Sequence, residues 1–219
     1  MPTSELLTEA AAEPPRDCPL CPRLVAYRAA NRQAHPDWWN GPAPSFGDRN
    51  ARLAVVGLAP GRMGANRTGR PFTGDFAGVL LFDTLLKLGF ARGRYEARPD
   101  DGLELVDCLI TNAVRCAPPG NKPETSEENT CRPFLTERLD LLPNLKVIVT
   151  LGDVSRRNVL KAIGLKASAG VGGHGSEFQA GPYTVINSYH CSRLNTNTGR
   201  LTPAMFEDIF VRARALIEA

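Results

Sequence analysis

The sequence predicts an α/β fold with three layers, in which a central four-stranded parallel sheet lies between two layers of helices. Short apolar runs with the length of buried strands alternate with longer segments whose apolar residues recur at helical spacing. Each expected strand also ends in a polar or glycine-rich loop. This alternation is typical of a parallel sheet that is covered on both faces.

The individual elements follow from the same patterns. We expect strands at residues 51–58, 105–112, 146–151 and 183–188. We expect helices at residues 22–32, 75–88, 126–142, 153–163 and 203–217. Asp75 stands where its side chain can cap the second helix. Residues 35–48 are rich in Pro, Gly and Trp, and we expect them to be irregular.

Length and composition limit the organisation of the chain. The 219 residues suit one α/β domain with a well-buried core. We expect a flexible leader at residues 1–15 and a single domain at residues 16–219. The sequence has no apolar run of about 18 residues and no basic-then-apolar signal pattern, which predicts a cytoplasmic protein. We expect a monomer. The net charge of +3 is too small to establish by itself that a nucleic acid is the partner.

The loops that follow the strands define the expected site. Ligands of open α/β sheets bind beside the carboxyl ends of the strands, so loops 57–75, 112–121 and 190–199 should converge. The first loop has neither a Gly-Lys-Ser/Thr sequence nor a Gly-x-Gly-x-x-Gly pattern, and nucleotide hydrolysis is not supported. Its glycines would let the backbone approach a planar ligand, on which Phe72 could stack. A phenylalanine taken alone, however, is more often a core residue.

Four of the six cysteines are placed to hold a metal centre. Cys18 and Cys21 form a Cys-x-x-Cys turn, and Cys116 and Cys131 follow far downstream. Four thiolates suit either zinc or a four-iron four-sulfur cluster, and the number of ligands does not separate the two. The alternative is a redox-active Cys-x-x-Cys pair, with the other cysteines in the core.

Several segments resemble one enzyme family. GLAPGRMGANRTGRPFTGD at 57–75 resembles the first motif of the type B, family five, uracil-DNA glycosylases, and HCSRLNTNTGRL at 190–201 resembles the second. TNAVRCAPPGNKP at 111–123 and CRPFL at 131–135 are similar to the segment in which this superfamily places its last two cluster cysteines. The resemblance extends over most of the chain.

The resemblance implies a monofunctional DNA glycosylase of base excision repair with the three-layer fold of these enzymes. Such an enzyme flips a damaged base out of the duplex, hydrolyses its N-glycosidic bond and leaves an abasic site. The resemblance favours a four-iron four-sulfur cluster over zinc as the cofactor held by Cys18, Cys21, Cys116 and Cys131. The implied partner is DNA that contains uracil, with hypoxanthine and other deaminated bases as weaker substrates.

Three residues match catalytic positions of the type B motifs. Cleavage puts positive charge on the sugar and negative charge on the leaving base, so the site needs a donor for the base and a carboxylate near the sugar. His190 would donate to O2 of the base, and Asp75 would orient water and stabilise the sugar. Asn121 would lie near the scissile bond or its water. Asp75 also suits a helix cap and Asn121 a turn, so these structural readings stay open.

The expected base pocket combines features of two glycosylase types. Asn112 departs from the type B pattern and resembles the asparagine that type A, family four, enzymes place on the uracil edge. Its amide can accept from N3–H and donate to O4, which favours uracil over cytosine. Leu58 stands where type A enzymes carry a glutamate, in agreement with type B. The expected substrate-binding residues are Gly57, Leu58, Ala59, Phe72 and Asn112.

An extruded base leaves a gap in the duplex that the protein must hold open. The loop at 192–199 is the candidate wedge, because Leu194 could intercalate as apolar wedges do. Phosphates or the orphaned base could bind to polar side chains of the two motifs. The expected DNA-binding residues are Arg67, Arg70, Ser192, Arg193, Leu194 and Asn195. The alternative is that 192–199 is merely a polar surface loop.

Two other classes of protein could share the α/β core and the cysteines. One is a non-catalytic iron–sulfur electron carrier or redox sensor, and the other is a zinc-stabilised DNA-binding module without chemistry. Neither class requires His190 followed by a polar, arginine-bearing loop. The second motif therefore favours the enzyme.

Overall fold

The computed structural model describes residues 12–219. Within that range the helices are α1 Pro22–Ala34, α2 Ala65–Thr68, α3 Phe76–Lys87, α4 Thr125–Asp140, α5 Asp153–Ala162, α6 Arg193–Asn197 and α7 Pro203–Glu218. The strands are β1 Phe46–Gly47, β2 Leu53–Gly57, β3 Ala91–Arg92, β4 Glu104–Leu105, β5 Cys108–Asn112, β6 Val147–Leu151, β7 Glu177–Ala180 and β8 Tyr183–Ser188. A short 3-10 helix spans Pro119–Asn121.

Six of these strands form one sheet, in the order β1-β5-β2-β6-β8-β7. The four inner strands are parallel: Leu53 of β2 is opposite Cys108 on one side and Val147 on the other, and β6 continues in parallel to β8. This confirms the four predicted parallel strands. The sheet itself is larger than expected, because β1 and β7 add an antiparallel strand at each edge.

The two edge strands carry little of the signal that predicted the inner ones. Strand β1 has only two residues and lies in the segment that was expected to be irregular. Strand β7 has the sequence EFQA, in which only the last residue is buried. Edge strands face solvent and need no continuous apolar run, so an apolar pattern does not detect them.

Helices cover both faces of the sheet. Helices α3 and α7 pack on one face, where Phe82 and Phe206 are fully buried. Helices α4 and α5 pack on the other face, where Leu135 and Val159 are fully buried. Strands β2, β5 and β6 are consequently buried at every position. Among residues 12–219, no helix is both long and apolar enough to cross a membrane.

The structure describes only the last four residues of the expected leader at 1–15. Residues 1–11 of that leader lie outside the described residues, whereas residues 12–14 contact the rest of the protein. Ala12 is fully buried. Glu13 accepts hydrogen bonds from Arg115 and Arg138, each at 3.0 Å. These two guanidinium groups are only 1% and 2% exposed and need an opposite charge, so Glu13 belongs to the domain.

Candidate active site

A cavity of about 460 Å³ opens at the carboxyl ends of the parallel strands. The three loops that were expected to converge all contribute to its wall. A cavity of this volume can hold a small planar ligand. Nine of the sequence-predicted site residues line it, namely Leu58, Ala59, Phe72, Asp75, Asn112, Asn121, His190, Ser192 and Arg193.

The floor of the cavity forms where β2 and β5 end side by side. The parallel register places Gly57 directly opposite Asn112. A Cβ atom on Gly57 would lie 2.4 Å from Oδ1 of Asn112 and 2.6 Å from Cζ of Phe72. Only glycine leaves room for both side chains at this position. A close approach of a planar ligand to this backbone stays a prediction.

Phe72 forms one face of the cavity in a strained backbone conformation. Its φ is +55°, in the left-handed region, which costs a non-glycine residue roughly 1–2 kcal/mol. Strain of this kind persists where surrounding contacts hold the residue in place. The ring centroid lies 6.2 Å from that of His190, with 30° between the planes. Phe72 is therefore both a core residue, 7% exposed, and a wall of the cavity.

Asp75 caps helix α3 and faces the cavity at the same time. Its Oδ1 accepts a hydrogen bond from the backbone N–H of Gly78 at 3.2 Å. Its Oδ2 lies against Gly61 and Gly64, where added Cβ atoms would come within 3.2 and 2.3 Å. Burial raises the pKa of Asp75, and the cap hydrogen bonds oppose that shift. The two readings of Asp75 are thus compatible: one oxygen caps the helix, and the carboxylate is desolvated at the cavity wall.

His190 follows strand β8 and lines the cavity. Burial lowers its pKa below the ordinary value of 6.5, so the imidazole is neutral at neutral pH. A neutral imidazole has one N–H to donate to a ligand. The side-chain amide of Asn195 donates to the backbone carbonyl of His190 at 2.8 Å. Asn195 therefore fixes the main chain that carries His190.

Asn121 ends the short 3-10 helix and reaches the cavity wall. Its φ is +57°, and its N–H donates to the carbonyl of Pro118 at 3.1 Å. The turn reading of Asn121 and its placement at the cavity are therefore compatible.

The candidate wedge is a short helix rather than a loop. Helix α6 begins after Ser192, whose hydroxyl accepts from the N–H of Asn195 at 3.5 Å. Leu194 is 72% exposed on this helix. The Arg193 guanidinium lies 5.2 Å from the ring centroid of Phe76 at the cavity wall. Arg193 thus places a cation at the cavity wall, and the next residue of α6 is an exposed leucine.

The two arginines predicted to bind DNA from the first loop differ in exposure. Arg67 is exposed, with one guanidinium nitrogen 3.5 Å from the carbonyl of Gly74. Arg70 is 5% exposed and donates two hydrogen bonds to Asp101, at 2.8 and 2.7 Å. The buried ion pair with Asp101 argues against the expectation that Arg70 binds DNA, because its guanidinium is already neutralised and is shielded from solvent.

A second, much smaller cavity of about 20 Å³ lies behind the loop after β5, and all four predicted ligand cysteines line it. None of them forms a disulfide. The Arg28 guanidinium donates to Sγ of Cys116 at 3.6 Å, and the N–H of Arg115 donates to Sγ of Cys131 at 3.3 Å. Leu24, Val114 and Phe134 supply apolar walls.

The chemistry of this cavity fits a soft metal group. Burial raises the pKa of Cys21 to about 11 and that of Cys116 to about 12, so their thiolates need a bound cation at neutral pH. Thiolate ligands with N–H donors in an apolar surrounding are typical of iron–sulfur sites. Within the described part of the chain, no three His, Cys, Asp or Glu side chains are grouped to hold a single metal ion.

One residue at the site carries almost no signal in the sequence. The hydroxyl of Tyr95 donates to the carbonyl of Phe72 at 3.1 Å and accepts from the N–H of Gly74 at 3.4 Å. Tyr95 lies more than twenty residues after these partners, outside every motif. The one available signal was a lone aromatic residue in a stretch, RGRYEARPDD, that is otherwise rich in charge.

Comparison with known proteins identifies the family of the chain. The family model described as the uracil DNA glycosylase superfamily matches residues 44–214. A Type-5 uracil-DNA glycosylase of Thermus thermophilus is 43% identical over 91% of this chain and 93% of its own length. A Type-5 uracil-DNA glycosylase of Pyrobaculum aerophilum is 42% identical over 91% of this chain and 88% of its own length. A Type-4 uracil-DNA glycosylase of the same organism is 31% identical over 69% of this chain and 64% of its own length. The chain belongs to the uracil DNA glycosylase superfamily.

Proposed function

We propose that the protein is a monofunctional uracil-DNA glycosylase of base excision repair, which hydrolyses the N-glycosidic bond of a flipped-out uracil and leaves an abasic site. The observation that carries the proposal is the cavity at which Phe72, Asp75, Asn112 and His190 meet. These side chains supply a stacking face, a carboxylate, an amide edge and a neutral donor. The relatives named as Type-5 uracil-DNA glycosylases support the same reaction.

Recognition of the base would depend on Phe72 and Asn112. Both side chains contact the backbone of Gly57 at the cavity floor, so a flat base can lie on the ring with its edge toward the amide. An amide accepts from N3–H and donates to O4 of uracil, whereas cytosine presents the reverse pattern at these two positions. A buried polar edge left unpaired by cytosine would cost binding energy.

Cleavage would depend on His190 and Asp75. The neutral imidazole of His190 donates its N–H to O2 of the departing uracil, where negative charge increases as the bond breaks. The desolvated carboxylate of Asp75 stabilises the positive charge on the sugar and orients the attacking water. Asn121, at the same wall, offers a polar side chain to that water.

We also propose that Cys18, Cys21, Cys116 and Cys131 hold a four-iron four-sulfur cluster. Their common cavity, the N–H donors to two of the sulfurs and the apolar walls support this. The cluster would cross-link the segment before α1, the loop after β5 and helix α4. Since the loop that carries Cys116 begins after Asn112 and contains Asn121, this cross-link would brace one wall of the active site.

Incubation of purified protein with duplexes that contain U·G, U·A or a hypoxanthine pair, followed by alkali cleavage, tests the activity. We expect cleavage at uracil, faster in U·G than in U·A because a mismatch is easier to open, and slower cleavage at hypoxanthine. Absence of abasic sites from every duplex with enzyme in excess would refute the proposal.

The role of Asn112 in base choice has its own test. We expect Asn112→Ala to slow excision of uracil and to broaden the range of excised bases, because the edge-specific amide is gone. Asn144→Ala, which alters an exposed asparagine remote from the cavity, is the matched control. A narrower range for Asn112→Ala would show that the assignment is wrong.

A further inference from the structure

We propose that Tyr95 is a positioning residue for base excision: its hydroxyl fixes the turn at residues 72–75, so that the Phe72 ring and the Asp75 carboxylate keep their places in the cavity. The inference rests on the proposed glycosylase function and deepens it. It assigns a role to a residue that lies outside the motifs and does not line the cavity.

The Tyr95 hydroxyl spans the turn that carries both functional side chains. It donates to the carbonyl of Phe72 and accepts from the N–H of Gly74, at 3.1 and 3.4 Å. Phe72 and Gly74 both have positive φ, +55° and +88°. Glycine adopts this conformation without cost, but Phe72 does not, so outside contacts must hold Phe72 in it. The Tyr95 hydroxyl supplies one such contact to Phe72 and a second one to Gly74.

The space around this hydroxyl is closed on the other side by helix α3. A Cβ atom on Gly78 would lie 1.7 Å from the carbonyl oxygen of Phe72 and 2.5 Å from the Tyr95 hydroxyl. Gly78 also donates its N–H to Asp75. The carbonyl of Phe72 is therefore confined between the start of α3 and the tyrosine, and it has little room to shift while both are present.

Tyr95 is itself held by the buried ion pair of Arg70 and Asp101. Its ring centroid lies 4.6 Å from that of Phe82 and 5.9 Å from the Arg70 guanidinium. Arg70 also donates to the hydroxyl of Thr73, within the turn, at 2.7 Å. Asp101 in turn accepts from the N–H groups of Glu96 and Leu103. Arg70, which was expected to bind DNA, instead joins the loop around Tyr95 to the turn.

These contacts predict an effect on the base pocket rather than on DNA affinity. Loss of the hydroxyl frees the carbonyl of Phe72 and one end of the turn, while the exposed cations at the cavity mouth are untouched. The stacking face and the carboxylate should then sample positions in which the base is bound less well. The expected defect is in excision and in affinity for free uracil, with unchanged affinity for undamaged DNA.

The experiment compares Tyr95→Phe with Tyr183→Phe. Tyr183 is a half-buried tyrosine at the start of β8, the end of the strand away from the cavity. We expect Tyr95→Phe to lower the single-turnover rate on a U·G duplex and to weaken inhibition by free uracil by about three- to tenfold, the range for one neutral hydrogen bond. Tyr183→Phe should match the wild type in both, and all three proteins should bind undamaged duplex equally.

A double-mutant cycle separates positioning from general stability. Because Tyr95 acts partly through the Phe72 ring, we expect Tyr95→Phe to cause a smaller loss in the Phe72→Ala background than in the wild type. Fully additive losses, or a Tyr95→Phe protein that matches Tyr183→Phe in rate and uracil inhibition, would overturn the inference. A wild-type protein that excises no uracil would instead overturn the proposed function.

A crystal structure of the wild-type protein with free uracil gives a test that requires no variant. We expect uracil on the Phe72 ring, with the Tyr95 hydroxyl still bonded to the Phe72 carbonyl. Uracil bound away from that ring, or a broken hydroxyl contact in the bound state, would refute the role of Tyr95.

Discussion

The candidate active-site cavity and the smaller cavity lined by the four cysteines share the loop after β5, but they are built in opposite ways. The first, about 460 Å³, is bounded by strand ends, glycine backbone and two non-glycine residues with positive φ, Phe72 and Asn121. The second, about 20 Å³, is bounded by four thiols and apolar side chains. The first places desolvated polar groups around space for a ligand, while the second packs thiol groups around almost none. Changes in the first should alter reaction rate, and changes in the second should alter stability and metal content.

The largest expected effect on rate follows replacement of Asp75 by Asn. Asn caps a helix about as well as Asp, so the cap survives while the charge is lost. We expect the single-turnover rate to fall about 10²- to 10⁴-fold, the usual contribution of a catalytic carboxylate. If Asp75→Asn excises uracil at the wild-type rate, Asp75 has no catalytic role and serves only to cap α3. The matched control is Thr202→Ala, which removes the cap of α7; it should cost about 1 kcal/mol of stability with no change in rate.

The stability of Asp75→Asn relative to the wild type should depend on pH. Burial raises the folded-state pKa of Asp75 above its ordinary 3.8, so ionisation of this carboxyl costs stability as pH rises through that raised value. Below pH 3.8 the group is protonated in both states and the cost is absent. We therefore expect Asp75→Asn to be at least as stable as the wild type at pH 7, with the difference shrinking as the pH falls toward the ordinary pKa of the carboxyl. Denaturant unfolding at several pH values measures this difference in the free energy of unfolding. If Asp75→Asn is less stable than the wild type at pH 7, the raised pKa of Asp75 is contradicted.

Replacement of Cys116 by Ser should have the largest effect on the second cavity. We expect loss of iron, loss of visible absorption and a stability loss of more than about 4 kcal/mol, as for other changes that remove a structural metal group. Cys108→Ala is the control, because Cys108 is fully buried in β5 and does not line this cavity. Iron analysis and thermal unfolding distinguish them, and full iron content in Cys116→Ser would refute the ligand assignment.

A smaller effect is expected from the exposed wedge. Leu194→Ala should change stability by less than about 0.5 kcal/mol, because the side chain is 72% exposed. Excision from U·A should fall about tenfold, and excision from U·G less, because a mismatched base is already easier to extrude. Val211→Ala, an exposed valine on α7, is the control. Equal losses on both duplexes would argue against a wedge.

The smallest effect is expected at Arg67. Removing one phosphate contact should weaken DNA binding a few-fold and reduce the slope of log affinity against log salt by about 0.9. Arg94→Gln, which alters an arginine 82% exposed at its side chain and outside both cavities, should leave the slope unchanged. Binding isotherms at three or more salt concentrations measure both variants. An unchanged slope for Arg67→Gln would remove this residue from the interface.

The sequence by itself predicted the inner strands, the five longer helices and the convergence of three loops at one edge of the sheet, but not the short helices α2 and α6. Burial on both faces imposes continuous apolar runs, which a sequence shows directly, and parallel strands bring the residues after their carboxyl ends to one edge. Asp75, Asn112 and His190 could therefore be assigned to one site from the order of the strands and the loops that follow them. The edge strands β1 and β7 could not be predicted, because short, solvent-facing strands leave no such pattern.

Only the tertiary structure decided which of the polar residues in the motifs are exposed and which are buried. Arg67 and Arg70 stand three residues apart in one motif, but Arg70 meets Asp101 in the interior and Arg67 stays exposed. Tyr95 could be connected to Phe72 only by its position in space. Burial and hydrogen bonding depend on distances between segments far apart in the chain, and local sequence patterns carry no information about those distances.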